Sequence, residues 1–324
     1  MSVLGLLTPD AAVLAGAVLV ALVLDVLFGE PPTRLHPVVA MGCYLGVVGR
    51  RVSRAAGAVP RPGAEFWLGA LGWCAGAALV AALAWAAGWA MQTLDPLVHA
   101  VLLGALLKPM LSWRMLRDEV RAVEAALAES LEAGRQRVSW LVSRDVAALS
   151  ETQVREAAVS TLAENLNDSV VAPLFWFAVA GLPGAALHRF ANTADAMWGY
   201  HGVRSGRDWT WAGRWAARVD DVMSWVPARL TAAMIALPSW WRSWPSVVAN
   251  ARLTPSPNGG WPMGALAVGL GIRLVKPQVY ALNAQGRAPT AADTQRALDR
   301  CARVVGMLAL LSLLVLLWSW GIRR

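Results

Sequence analysis

Long apolar runs and short polar clusters alternate along the 324-residue chain. Residues 11–28 are apolar except for Asp25, residues 66–91 carry no charge, and residues 304–320 are also uncharged. Each meets or approaches the ~20 residues a helix needs to cross hydrocarbon. A shorter run at 96–111 predicts a returning span. Two further runs differ in kind. Residues 170–187 are interrupted by Pro173, Gly181, Pro183 and Gly184, and 226–241 is a second short apolar stretch. Broken helices survive at membrane depth where protein or a wet cavity satisfies the freed backbone groups. The pattern predicts an all-α, polytopic integral membrane protein with broken or re-entrant helices, forming a single domain over 1–324.

Between these runs the periodicity becomes amphipathic. Residues 114–146 begin as a charged helix too polar to span, a polar region at the membrane edge. "SETQ" from Ser150 reads as a capping box. Val154, Ala158, Leu162 and Leu166 then recur at i+4, while Glu156, Ser160, Glu164 and Asp168 form a second i+4 stripe on nearly the opposite side. The acidic side is therefore expected to point away from the packing side. Residues 252–262 are a loop by their Pro, Asn and Gly content. Residues 283–300 read as a polar connector to the last span.

Composition sharpens this picture. The chain is 57% hydrophobic and 15% charged, where soluble domains carry about a quarter charged residues. The net charge of +8 fits arginines holding loops on the cytoplasmic side. No basic run is interleaved with aromatics, so nucleic acid is not expected as a partner. The loop 49–63 is basic and is placed in the cytoplasm. A full crossing by 170–187 would then put the arginine-rich stretch 188–218 outside, against that tendency. No Lys or Arg precedes the first apolar run and no small-residue cleavage site follows it, so it reads as a span rather than a cleavable signal. Cys43, Cys74 and Cys301 lie far apart with no metal or redox spacing. The histidines 36, 99, 188 and 201 have none either.

Four polar constellations lie beside apolar elements. "SRD" with Arg144 and Asp145 accompanies "ENLND" with Glu164, Asn165 and Asp168. "RFANTADAMWGY" brings Arg189, Asn192 and Asp195 within one to two helical turns. "ARVDD" places Arg218 three residues before Asp221, next to Asp220. "SPNGG", with Ser256 and Asn258, has successive N–H groups that can form an anion nest. Each has a plainer reading: a surface ion pair for Arg144–Asp145, helix capping for Asn192 and Asp195, an ordinary turn for "SPNGG". The adjacent carboxylates Asp220 and Asp221 resist one, because each raises the other's cost of ionisation unless a cation intervenes. Ionisable groups near membrane elements default to a site or a pathway. Oxygen donors suit Mg²⁺, and arginines suit phosphate. No Walker A motif is present.

These stretches together resemble adenosylcobinamide-phosphate synthase, the CobD/CbiB family of cobalamin biosynthesis. The resemblance runs nearly end to end through "LDVLFGEPPTRLHPVVAMG", "SWLVSRDVAAL", "AENLNDSVVAPLFW", "GLPGAALHRFANTADAMWGY", "AARVDDVMSWVPARLTA" and "SPNGGWP". It implies an integral enzyme of the bacterial cell membrane that joins adenosylcobyric acid to an aminoalcohol phosphate, or to the free aminoalcohol, using ATP and Mg²⁺. It leaves room for a homo-oligomer and for contact with other late cobalamin-pathway membrane enzymes. On this reading Glu164, Asp168, Asp220 and Asp221 hold Mg²⁺ or its waters. Arg144, Arg218 and Arg189 steady phosphates. Asn165, Asn192 and Asn258 orient substrate oxygens, with Asp145, Asp195 and Ser256 beside them. One departure stands out: Met263 occupies a position where the family commonly has an acidic residue, and "RLVKPQVYALN", 273–283, replaces a glycine-rich piece. Lys276 is a phosphate-binding candidate in that segment. Two alternatives are a non-catalytic carrier for a corrinoid or phosphorylated ligand, and a paralogue acting on another carboxylate and amine.

Overall fold

The computed structural model describes residues 11–237 and 240–321. It is helical, with five helices long and apolar enough to span a membrane among the described residues: Ala11–Phe28, Pro62–Ala90, Pro96–Glu129, Glu151–Trp198 and Ala291–Ser319. The chain is an all-α, multi-pass membrane protein whose described residues fall into two compact units. One is drawn from Met1–Leu111, Ala172–Met223 and Leu311–Arg324, the other from Ser112–Val171 and Ser224–Leu310.

In the first unit, α1 (Ala11–Phe28) packs on α4 (Pro96–Leu107). Small residues meet at their contact: a Cβ built on Gly16 would lie 3.2 Å from Ala100 Cβ, and one on Gly104 would lie 2.7 Å from the Ala17 carbonyl oxygen. Small side chains let backbones approach closely where lipid gives no hydrophobic drive to associate. Between them come α2 (Pro37–Val52), started by His36 whose ring accepts the Val38 N–H, and α3 (Pro62–Ala90). Both pack on α8 (Ala172–Trp198). Helix α8 is broken at Ala180 and Gly181, the latter at φ 62°, ψ −155°, a conformation essentially confined to glycine. Three short strands lie in the basic loop and beyond the end of α8: β1 (Arg54–Ala55), β2 (Val203–Arg204) and β3 (Arg207–Asp208). They pair antiparallel in the order β1-β3-β2, with Arg54 opposite Asp208 and Ala55 opposite Arg207.

The second unit is built on α5 (Trp113–Glu129), α6 (Leu131–Val138) and α7 (Glu151–Leu166). The buried face of α5 is Trp113, Leu116, Val120, Val123 and Leu127, the i, i+3, i+7 spacing of an amphipathic helix. Val123, Leu127, Val138, Leu149, Val154, Ala157 and Ala158 form its core, with Leu141, Val142 and Val146 packed against them. The capping box forms as expected: the Gln153 N–H donates to Ser150 Oγ (3.3 Å) and the Ser150 N–H to Gln153 Oε1 (2.8 Å). A π-helical turn, Asn167–Val171, follows α7. Helix α9 (Arg214–Ala236) enters this unit at Ser224. Then come α10 (Trp240–Ala251), α11 (Gly260–Leu270), a hairpin of β4 (Leu274–Lys276) and β5 (Tyr280–Leu282), and α12 (Ala291–Gly321).

Two expectations change. Residues 291–300 are not connector but the first turns of α12, where Asp293 accepts the Thr290 N–H (2.9 Å) and pairs with Arg287 (2.5 Å). Of the apolar stretch 226–241, the part to Ala236 belongs to α9, and Pro238 and Ser239 lie outside the described residues.

Candidate active site

Helix α7 positions the acidic cluster in the second unit. Its polar stripe is not an open face: Glu156 and Ser160 are buried, and Glu156 pairs with Arg273 (3.3 Å) just before β4. The reason is the β4–β5 hairpin, which packs on α7 and converts the stripe into the wall of a cavity of about 150 Å³. Arg144 and Ser143 from the loop before α7, Ser160, Thr161 and Glu164 from α7, and Lys276 and Tyr280 from the hairpin line it. Among the described residues neither Lys276 nor Arg144 takes part in an ion pair. Arg144 therefore does not pair with Asp145; the Asp145 carboxylate instead accepts the Ala147 N–H (2.9 Å) and shapes the loop. Burial pushes the Tyr280 phenol above its ordinary value, and the Glu164 charge adds to this against a Ser160 hydrogen bond and Arg144. Tyr280 thus stays a protonated hydroxyl, whose oxygen lies 3.4 Å from Met263 Sδ.

The "SPNGG" loop meets the same helix. A Cβ built on Gly259 would lie 3.0 Å from Glu164 Oε1 and 3.4 Å from Met263 Cε, so the loop backbone closes on the carboxylate. Its N–H groups do not form an open nest, however. Those of Asn258 and Gly259 donate to Ser256 Oγ (3.2 and 3.4 Å), the local turn chemistry that serine offers. Buried Asn258 accepts from Arg229 Nη1 (3.3 Å). Arg229 is held between the rings of Trp225 (4.0 Å) and Trp261 (4.6 Å), a geometry that suits a guanidinium. Burial lowers its pKa. Asp168, in the π-turn, accepts from Asn167 Nδ2 (2.8 Å), whose Oδ1 accepts from Thr231 of α9 (3.1 Å). Asn165 is half-buried on the last turn of α7.

The remaining candidates lie in the first unit. Arg189, Asn192 and Asp195 sit on the last turns of α8; the Arg189 carbonyl accepts from Thr193 Oγ1 (2.7 Å) and the Asp195 carbonyl from the Gly199 N–H (2.7 Å). Arg218 and Asp221, on α9, line a cleft of about 190 Å³ with Arg214, Tyr200, His201 and Thr210. Burial raises the Asp221 carboxyl above its usual range, and Asp220 beside it is half-buried.

Among the described residues no three His, Cys, Asp or Glu side chains gather to hold a metal. Of the expected set, Glu164 and Asp168 belong to the second unit and Asp220 and Asp221 to the first. Mg²⁺ in phosphate chemistry needs only one or two carboxylates, with phosphates and water completing its shell, and Asp221 in the cleft of the first unit offers one such donor.

Sequence reasoning missed three features. The segment 273–283 offers Lys276 as a phosphate-binding candidate, but nothing in its pattern marks the hairpin or Tyr280. Arg229 lay in an apolar run and drew no notice. In the first unit, Lys108 Nζ reaches Asp25 (3.2 Å) and Glu30 (3.4 Å), and Glu30 bonds His36 (2.9 Å). The lone charge of Asp25 within a span was the available signal for that network.

The family model for the CobD/Cbib protein matches residues 18–309. The "Probable cobalamin biosynthesis protein CobD" of Methanothermobacter thermautotrophicus is 37% identical over 293 residues, covering 87% of this chain and 90% of that one. The "Cobalamin biosynthesis protein CobD" of Chromobacterium violaceum is 42% identical over 261 residues, 79% of each. That of Rhodobacter capsulatus is 40% identical over 232 residues, 68% of this chain and 73% of its own. No solved structure matches the chain. A match of this extent, running through the helices and loops that build both polar clefts, makes the chain a member of the CobD/CbiB family of cobalamin biosynthesis proteins.

Proposed function

We propose that the protein is an ATP-dependent acid–amine ligase that joins the free propionate of adenosylcobyric acid to an aminoalcohol phosphate, giving adenosylcobinamide phosphate. The observation that carries this reading is the convergence, in the second unit, of segments far apart in sequence. Arg144 and Glu164 line one cavity, and Gly259 of the "SPNGG" loop closes on Glu164. Cations beside a carboxylate and hydroxyls suit phosphate and amine better than a bare ion.

A carboxylate resists an amine because its charge is delocalised and its leaving group would be oxide or hydroxide. Activation solves this. A propionate oxygen attacks the γ-phosphorus of ATP and ADP leaves. The amine then attacks the carbonyl carbon of the acyl phosphate. As the C–N bond forms, the C–O bond to phosphate breaks, and the nitrogen gives up a proton. Negative charge develops on transferring phosphoryl oxygens, and preorganised cations that meet it there supply much of the rate. Arg144, Arg218 and Arg189 are assigned to phosphate, and Asn165, Asn192 and Asn258 to substrate oxygens, with Asp145 and Ser256 fixing the loops beside them. Asp195 supports the turn after α8. Bound Mg²⁺, held chiefly through phosphates with Asp220 and Asp221 as its carboxylate candidates, would neutralise that charge. The reaction belongs at the cytoplasmic side of the cell membrane, where ATP is found.

The test is direct. Purified protein in detergent is given adenosylcobyric acid, ATP, Mg²⁺ and the phosphorylated or free aminoalcohol, and products are read by mass spectrometry. Amide product dependent on both ATP and amine is the expected result. Corrinoid binding without product would replace the ligase by a carrier, and product only with another acid or amine would make it a paralogue.

A further inference from the structure

We infer that the cavity between α7 and the β4–β5 hairpin is a subsite for a small phosphorylated amine, and that Lys276 on the hairpin makes the protein favour the phosphorylated amine over the free one. This rests on the ligase reading, which leaves open where the amine binds and what selects it. The cavity wall carries two cations, Arg144 and Lys276, one carboxylate, Glu164, and the hydroxyls of Ser160 and Tyr280. A phosphorylated aminoalcohol is its electrostatic complement: an ammonium for Glu164, and a phosphate of nearly two negative charges for the cations. Lys276 and Arg144 have no ion-pair partner among the described residues, so their charge is available to a ligand. About 150 Å³ is on the order of five water volumes, room for a compact amine with one phosphate but not for a whole nucleotide triphosphate.

The hairpin also explains why the choice belongs to this segment. Lys276 and Tyr280 are opposed residues across β4 and β5, so one short turn presents a cation and a hydroxyl to the same space. Arg273 at the start of the segment ties it to Glu156 of α7 (3.3 Å). Met263 approaches the Tyr280 hydroxyl (3.4 Å), so its neutral thioether adds no negative charge to oppose a phosphate.

The experiment compares wild type, Lys276→Met, Lys276→Arg and Glu164→Gln, each checked for an unchanged melting temperature. Calorimetric binding of the phosphorylated amine and of inorganic phosphate, without ATP, tests the subsite independently of turnover. Lys276→Met should weaken both by about tenfold or more, the loss of one charge-assisted contact, and Lys276→Arg should restore most of it. Glu164→Gln should weaken the phosphorylated amine but not inorganic phosphate. In turnover, Lys276→Met should lower the preference for phosphorylated over free amine by about tenfold with KM for ATP unchanged. Unchanged preference and unchanged phosphate binding would overturn the inference while leaving the ligase reading intact. A rise in KM for ATP alone would assign the cations to nucleotide and overturn it as well. Failure of wild type to ligate either amine would remove the ligase reading, and the calorimetric comparison would still decide the subsite.

Discussion

Asp221 sits in the cleft of the first unit with Arg214 and Arg218, and burial raises its carboxyl pKa. A raised carboxyl pKa means the folded protein holds that proton more tightly than the unfolded chain. The stability this contributes is fully present below the unfolded pKa and is lost as pH rises through the folded one. At neutral pH burial of this half-buried carboxylate is thus a standing destabilisation. Asp221→Asn should abolish amide formation, leave the protein in the membrane, and raise its melting temperature at neutral pH. The gain should shrink towards acidic pH, where the wild-type side chain is already neutral. Full activity in the variant would remove Asp221 from the reaction. A melting temperature lowered at every pH would mean that the carboxylate is held by structural contacts. Only part of this was legible. The pair Asp220–Asp221 stood out because adjacent charges need an explanation, whereas Tyr280 gave no signal: its neighbours Ser160 and Glu164 are remote in sequence, and pairing at that separation leaves no periodicity to read.

Elements were legible where the physics is local. The capping box at Ser150 formed as read because its two bonds join residues three apart. The stripe on α7 was correctly spaced but its environment was not, since the hairpin that buries Glu156 and Ser160 lies over a hundred residues away. A run of only three residues per strand, with Pro277 between them, falls below what alternation can reveal. The break in α8 was legible from Gly181 and Pro183. Its geometry gives a test of whether the break is built into the backbone. At φ 62°, ψ −155° a side chain should destabilise the fold by about 1–3 kcal/mol, so Gly181→Ala should lower the melting temperature in detergent. The control is Gly88→Ala in α3, where an added Cβ meets nothing within 4 Å and helix propensity favours alanine. Equal behaviour of the two variants would mean that α8 can straighten through the break.

The whole chain presents a topological conflict that the small sheet resolves. The basic loop after α2 and the arginine-rich stretch after α8 both favour the cytoplasm, yet a full crossing by α8 would separate them. Strand β1 lies in the first loop and β3 in the second, and Arg54 is paired with Asp208 in register. The two loops are therefore on one side of the membrane, and the chain between them crosses an even number of times. Helix α3 leaves and α4 with its continuation into α5 returns, which makes two crossings. The segment 151–198 then contributes no net crossing although it is long and apolar enough to span. It must enter and leave by the same face, turning where Ala180 and Gly181 depart from helix. That places Arg50, Arg51, Arg54, Arg204, Arg207 and Arg214 together on the cytoplasmic side, in line with the charge bias. Single cysteines at Ala58, Thr93 and Ser205, all exposed, introduced after replacing Cys43, Cys74 and Cys301, would report this through a membrane-impermeant maleimide. Positions 58 and 205 should label in inverted vesicles and position 93 in intact cells. Labelling of 205 together with 93 would mean that α8 crosses fully, and the pairing of β1 with β3 could not then exist in the membrane.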